Sequence, residues 1–288
     1  MASQPPPTFP ETGLAILSLQ DGKVHRVAGI GSDLVAVTVS DDGRPAYLAD
    51  SSPGDVYAVS LPDLKMRWRA HLGGAPFGLL VTQRRLYVSL FDKAQVEELD
   101  PASGDRLVTH AVSGGPAAMA MDGGGRIAVA TLEGKVFFLN GTWVPGGQGY
   151  GVAFAAGGLW SADFKRGELV ETDSGWVVLL PLRASPFWLA TGSDGTLLIT
   201  GEGRAEDSDP GGVFSYDSVS GKIKTLGQPR DPDPTVESGS TIFVAAHGDR
   251  DVLAIRSGRT EKWAAGAAAV AIAAHNSLGL LVAVNAHE

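Results

Sequence analysis

The feature that most constrains the fold of this chain is a short β unit that recurs along nearly its whole length. Its second segment combines small and branched apolar residues, usually with one aromatic. The clearest copies of this segment are 46–50, 86–90, 159–163 and 242–246. Turns such as Asp41-Asp42-Gly43 precede it, and Gly or Asp tolerates the positive φ that tight hairpins need. Internal repetition of short strands predicts an architecture of repeated small sheets.

The spacing of this repeat predicts a β-propeller. The predicted blade starts are Val35, Phe77, Ala117, Tyr150, Phe187, Pro234 and Ala269. Their mean step is about 39 residues, close to the roughly 40 residues of a four-stranded blade. Six full blades fit between residues 35 and 268. Two predicted strands remain at each end of the chain: 14–19, 23–27, 269–273 and 280–284. Since neither pair makes a blade alone, we predict that together they form a seventh, which removes the free sheet edges.

The predicted fold is therefore all-β: a seven-bladed propeller of four-stranded antiparallel blades, whose last blade is closed by N- and C-terminal strands. A six-bladed ring is the alternative, if the irregular stretch 202–233 is counted differently. We predict a single propeller domain over residues 13–288, preceded by a flexible N-terminal segment over residues 1–12. A ring closed by its own ends needs no partner for stability, so we expect a monomer.

Composition argues against several classes of partner and chemistry. The net charge of −9 repels phosphate backbones, so nucleic acid is not an expected partner. No run of 18 apolar residues occurs, so membrane insertion is not expected. The absence of cysteine excludes disulfides and thiol catalysis. The first ten residues lack the regions of a signal peptide, but a protein whose signal has been removed would look the same. A cytoplasmic location and a secreted or periplasmic one both stay open.

At the level of its repeats, the chain resembles YVTN-type propellers, which are related to NHL-type and gluconolactonase-like propellers. The resemblance is carried by the aromatic second strand, the Asp-Gly first turn and a Gly-Gly-x-Pro passage between blades. That passage is present as Gly73-Gly74-Ala75-Pro76 and, in a shorter form, as Gly114-Gly115-Pro116. The nearest match to the name-giving motif is Leu86-Tyr87-Val88-Ser89-Leu90. The resemblance covers nearly the whole chain from Leu14 and implies a fold rather than a chemistry, since propellers carry unrelated functions.

Candidate site residues cluster where second strands end and new blades begin. In a propeller, these positions share one face of the ring near its axis, while the predicted inner strands are small and apolar. The polar groups that follow second strands are Asp50, Asp92, Glu133, Asp163, Glu202, His247, Asn285 and His287. Aromatic side chains near the adjoining blade starts are Phe77, Phe91, Tyr150, Phe164, Phe187 and Trp188. Convergence of these groups would make a cup for a cation, a sugar or a peptide. The alternative is that each acid only solvates its own loop.

Two functions follow from these candidates. The leading hypothesis is a non-catalytic propeller that binds an unknown protein or small molecule. Its ligand-binding candidates are Asp50, Phe77, Phe91, Asp92, Tyr150, Asp163, Phe187 and Trp188. The alternative is a metal-dependent, lactonase-like hydrolase or lyase that holds one divalent cation, Ca²⁺ or Mg²⁺. Its metal candidates are Glu202, His247 and His287, because these sit at equivalent places on successive blades and carry ligand types that suit a divalent ion.

Overall fold

The described part of the chain forms seven four-stranded antiparallel sheets, which are the blades of a propeller. The structure is a computed structural model and describes residues 7–61, 63–203 and 211–285. The prediction of seven blades is confirmed, and the six-bladed alternative is wrong. The predicted flexible segment over residues 1–12 lies partly outside the described residues. No helix in the described residues is long and apolar enough to cross a membrane.

Each blade is built from four strands, of which the first is innermost and the fourth lies at the rim. Blade 1 contains β3 (Leu34–Val39), β4 (Pro45–Asp50), β5 (Asp55–Ser60) and β6 (Lys65–His71). Blade 2 contains β7 (Pro76–Val81), β8 (Leu86–Leu90), β9 (Gln95–Leu99) and β10 (Arg106–Ala111). Blade 3 contains β11 (Pro116–Met121), β12 (Ile127–Thr131), β13 (Lys135–Phe138) and β14 (Trp143–Pro145). Blade 4 contains β15 (Val152–Ala155), β16 (Gly158–Asp163), β17 (Glu168–Glu171) and β18 (Val177–Leu179).

The remaining blades complete the ring. Blade 5 contains β19 (Ser185–Thr191), β20 (Leu197–Glu202), β21 (Gly212–Asp217) and β22 (Lys222–Gly227). Blade 6 contains β23 (Pro232–Ser238), β24 (Thr241–Ala246), β25 (Asp251–Arg256) and β26 (Arg259–Ala264). Blade 7 contains β27 (Ala268–His275), β28 (Gly279–Asn285), β1 (Gly13–Leu17) and β2 (Val24–Gly29). Two short 3₁₀ helices span Pro181–Arg183 and His247–Asp249. The inner strand of each blade contacts that of the next, including β27 with β3, so the ring is closed.

Blade 7 joins the two ends of the chain, as the sequence predicts. Strand β1 pairs with β28 in an unbroken antiparallel register from Gly13 opposite Val284 to Leu17 opposite Leu280. A second connection comes from Asn285, whose side-chain amide accepts the N–H of Leu34 (3.0 Å) and donates to its carbonyl (2.9 Å). These bonds tie the end of blade 7 to the first strand of blade 1.

The apolar core lies between the blades rather than in one central mass. In β1, Leu14 and Ile16 belong to the cluster shared with blade 1, while Ala15 and Leu17 belong to the cluster shared with blade 6. Alternate side chains of a strand point to opposite faces, and both faces of a blade are covered by its neighbours. Inner segments of a blade are therefore apolar at nearly every position, which explains the runs of small and branched residues in the sequence.

Irregularities at the blade starts shape the end of the axis. The pairing between first and second strands shifts register near the start of six first strands: β3, β7, β11, β19, β23 and β27. A β-bulge adds one residue on one strand and re-aims the side chains beside it. Because a β-bulge recurs at the same place in these blades, it turns a set of side chains towards the axis. The predicted blade starts lie within two residues of the observed ones.

Candidate functional site

A cavity of about 490 Å³ lies at the end of the axis where the first strands begin. We call it the axial cup. Its apolar lining comes from blades 1, 2, 5 and 7: Leu34, Val35, Phe77, Phe187, Trp188 and Val270. Its polar lining comes from blades 5 and 6: Glu202, Asp233 and His247, with Pro234 beside them. Since several of these residues sit at the register shifts of first strands, the cup is a product of the repeated bulges.

The central channel continues from the cup as a second cavity of about 310 Å³. Its lining is apolar except for residues such as Thr38 and Thr235, as the composition of the inner strands predicts. Val35, Trp188 and Pro234 line both cavities. Polar chemistry along the axis is therefore concentrated in the cup rather than in the channel.

Five aromatic rings form a connected cluster on the side of blades 2 to 5. Tyr150 lies at its centre, with ring centroids 5.6 Å from Phe77, 6.2 Å from Phe91, 5.9 Å from Phe164 and 5.0 Å from Phe187. Offset and edge-on contacts of this kind stabilise beyond the burial of area alone. Of the five rings, Phe77 and Phe187 line the cup. The other three hold these two in place, so the aromatic wall is preorganised.

One glycine allows this cluster to close. Gly151 follows Tyr150, and a Cβ atom at Gly151 would lie 2.8 Å from the carbonyl oxygen of Phe187. Real Cβ atoms do not approach a backbone oxygen so closely, so a larger residue would push the start of blade 4 away from blade 5. Glycine at this position lets the chain pass close enough for the ring of Tyr150 to pack against the ring of Phe187.

The polar wall of the cup contains three ionisable groups. Nδ1 of His247 lies 2.6 Å from Oδ2 of Asp233, and the ring donates this hydrogen bond because an ionised carboxylate only accepts. Burial raises the pKa of Glu202 from its ordinary 4.5 to about 7. The negative charges of Asp233 and Asp231 add to this rise, and His247 opposes it. Burial also raises the pKa of Tyr150, with a smaller contribution from the charge of Glu202.

Among the polar residues that line the cup, Asp233 is absent from the sequence-based candidates. The predicted start of blade 6 is Pro234, whereas β23 begins at Pro232. Pro232 pairs with Ala246 as Pro186 pairs with Gly201 and Pro76 with Leu90, so Asp233 is equivalent to Phe187 and Phe77. Alignment of the prolines would have found it. The same pairing makes Glu202 and His247 equivalent on neighbouring blades, in agreement with the sequence.

Several predicted site residues accept hydrogen bonds from nearby loops of the same blade instead of lining the cup. Asp50 is fully buried, and its carboxylate accepts the N–H groups of Asp33 (2.7 Å) and Ser32 (3.0 Å) and the hydroxyl of Tyr57 (3.1 Å). Asp163 is 2% exposed and accepts the N–H of Arg166 at 2.9 Å. These carboxylates shape the loops beside their own strands.

The remaining predicted residues lie outside the cup as well. Asp92 is exposed and accepts the N–H of Ala75 at 2.7 Å. Glu133 is exposed and packs beside Gly114. Asn285 ties blade 7 to blade 1 through its two bonds to Leu34. His287 lies outside the described residues.

The metal candidates are only partly brought together. Glu202 and His247 line the same cavity. Among residues 7–61, 63–203 and 211–285, no group of three or more His, Asp or Glu side chains is arranged to hold a metal ion. The predicted set with His287 stays a prediction.

Comparison with known proteins supports the fold but does not single out a function. No protein-family model matches this sequence, and no curated protein matches it either. A catalytically inactive virginiamycin B lyase from Staphylococcus aureus, solved with quinupristin, superposes with a TM-score of 0.73 at 14% identity, over 95% of this chain and 99% of its own. The periplasmic gluconolactonase of Pseudomonas aeruginosa gives 0.65 at 15% identity, over 88% and 97%.

A third similar structure is dihydro-heme d1 dehydrogenase NirN in complex with DHE. It has a TM-score of 0.66 and 15% identity, over 99% of this chain and 71% of its own. Identities this low show a shared fold alone. The sequence-based resemblance to propeller proteins is confirmed at that level. Because a lyase, a lactonase and a dehydrogenase all share the fold, the function must be argued from the cup itself.

Proposed function

We propose that this protein is a binding propeller that holds a small-molecule ligand in the axial cup. The observation that carries the proposal is the meeting of an aromatic wall and a polar wall in one cavity of about 490 Å³. Cavities of roughly 300–1,000 Å³ with mostly apolar linings and a few placed polar groups are typical of ligand sites. The axial cup has a volume in this range, and its lining likewise combines a mostly apolar wall with a few polar side chains.

Its walls are also held before any ligand arrives. Phe77 and Phe187 are fixed by packing on Tyr150, and His247 is fixed by its bond to Asp233. Because the side chains of these walls are already ordered, less conformational entropy is lost when a ligand binds. This favours a specific ligand over loose adsorption on the loop face.

A second candidate function is acid–base catalysis in the same cup. It is favoured by the pKa of about 7 at Glu202, because a carboxyl group poised near neutral pH exchanges protons readily in either direction. The names of two similar structures, a lyase and a gluconolactonase, agree with this alternative. It predicts turnover of an ester or lactone that is lost in Glu202→Ala, whereas a binding propeller shows none.

The proposal is tested by thermal melting of the purified protein against a small-molecule library, with Ca²⁺, Mg²⁺, Mn²⁺ and Zn²⁺ included. A ligand that binds only the folded state raises the melting temperature. We expect hits whose effect is lost in Phe187→Leu, because this change removes the aromatic face while keeping an apolar side chain. Trp176→Leu is the matched control, since Trp176 is an exposed aromatic in a groove between blades 4 and 5.

Hits that keep their effect in Phe187→Leu and lose it in Trp176→Leu would place the ligand outside the cup and contradict the proposal. A divalent ion that raises the melting temperature, together with turnover of a lactone, would favour the catalytic alternative.

A further inference from the structure

We infer that the ligand of the axial cup is an organic cation: an amine or guanidinium group attached to an apolar body. This inference rests on the proposed function and adds the chemical class of the ligand. It is carried by the charges that line the cup, the hydrogen bonds those charges make and the aromatic wall beside them.

The ionisable lining of the cup is dominated by carboxylates. Glu202 and Asp233 line the cavity, and Asp231 lies close enough for its charge to act on Glu202. Among the described residues, no Lys or Arg lines the cup. The nearby Arg230 is paired with Asp249, with its Nε at 2.9 Å from the carboxylate. An anionic ligand would therefore enter against like charges, while a cation would meet opposite ones.

Glu202 differs from the other acids at the ends of second strands. The carboxylate of Asp50 accepts an N–H from the loop that precedes β3, and the carboxylate of Asp163 accepts one from the loop that follows β16. Asp233 accepts one from His247. Glu202 accepts no hydrogen bond from another described residue, although its side chain is only partly exposed to solvent. Burial of a carboxylate without a donor is unfavourable, and a ligand N–H group would supply the missing partner.

The aromatic wall suits the same ligand. Phe77, Phe187 and Trp188 line the cavity together with the acids. The face of an aromatic ring attracts a cation, with Trp the strongest, and the attraction grows when the cation is shielded from water. Aromatic faces also accept the apolar body of an amine. A cavity that offers both rings and carboxylates thus fits both parts of such a molecule.

The test compares three probes of nearly equal size at pH 8: 2-phenylethylamine, 2-phenylethanol and 3-phenylpropanoate. Binding is followed by NMR through the indole N–H signal of Trp188, assigned with Trp188→Phe, because this side chain lies in the cup. We expect the amine to bind at least about tenfold more tightly than the alcohol, which corresponds to about 1.4 kcal/mol, and the carboxylate to bind least. In Glu202→Gln we expect the amine to lose this advantage, while Glu133→Gln, at an exposed acid, retains it.

The affinity for the amine should also rise several-fold between pH 6 and pH 8. Ionisation of Glu202 over this range adds a negative charge to the cup. The charges of Asp231, Asp233 and His247 influence the pKa of Glu202, and the charge of Glu202 in turn influences the pKa of Tyr150. Equal binding of the amine and the alcohol, or tighter binding of the carboxylate, would overturn the inference about the ligand's charge. The proposal that the cup binds a small molecule would still stand. If none of the probes shifts the Trp188 signal while the Trp176 signal moves, the inference and the proposed function both fail.

Discussion

A chain that lacks residues 1–29 is expected to lose cooperative folding. The deletion removes β1 and β2, and with them Leu14, Ile16 and Leu17, which are at most 2% exposed. Burial of each such side chain contributes about 1.5–3 kcal/mol. Their sum rivals the roughly 5–15 kcal/mol that stabilises a typical domain. The deletion also leaves the edge of β28 unpaired. Urea titration followed by circular dichroism should show no cooperative transition.

A milder variant tests the same closure without the loss of a strand. Asn285→Ala removes both bonds to Leu34 and leaves a buried N–H and C=O without partners. The free energy of unfolding should fall by about 2–4 kcal/mol, since each unsatisfied buried group costs about 1–3 kcal/mol. Asn276→Ala, in an exposed turn, is the matched control and should change the free energy of unfolding little.

If the chain that lacks residues 1–29 unfolds cooperatively near the midpoint of the full chain, the terminal strands do not close the ring.

The second large effect is a pH-dependent gain of stability in Glu202→Gln. The pKa of Glu202 is about 7 in the folded chain and near 4.5 in the unfolded one. Between these values the folded state keeps a proton that the unfolded state has lost, so the stability of the wild type falls as pH rises. The loss reaches up to about 3 kcal/mol above pH 7, since each pH unit between the two pKa values corresponds to about 1.36 kcal/mol. Glutamine is neutral at every pH, so the stability of the variant does not fall in this way as pH rises.

The expected result is a difference in melting temperature between Glu202→Gln and the wild type that is small at pH 4.5. It should grow to about 5 °C in favour of the variant at pH 8. Glu133→Gln provides the control, because Glu133 is exposed at the corresponding face of blade 3. A constant difference across this range would mean that the pKa of Glu202 is the same in the folded and the unfolded chain, and that the cup does not desolvate it.

The blade count and ring closure could be predicted from the sequence because each blade is a local unit. Strand, turn and strand follow within about 40 residues, and most turns are marked by Gly, Asp or Asn. The weak point is Pro232-Asp233-Pro234, where two prolines offer two starts for the blade. The prediction uses the second proline, and the slip of two residues removes Asp233 from the candidate site. A bulge, which adds a residue without a sequence signature of its own, makes such slips easy.

The aromatic cluster is easier to predict from the sequence than the roles of the acids. Aromatic side chains at blade starts have few places to be buried except against each other, so Phe77, Tyr150 and Phe187 converge. The acids look equivalent in sequence, yet Asp50 faces the loop that precedes β3 and Glu202 faces the cup. The difference lies in whether backbone N–H groups of the loop point at the carboxylate. Strand periodicity carries no information about that direction.

Crystals soaked with a diverse fragment library test most directly whether the protein binds its ligand in the axial cup. We expect bound fragments to concentrate in the cavity that Phe77, Phe187 and Trp188 line together with Glu202, Asp233 and His247. We also expect fragments with an amine to be over-represented there. Fragments that gather instead in the groove of Trp160 and Trp176 between blades 4 and 5, and leave the cup empty, would contradict the claim.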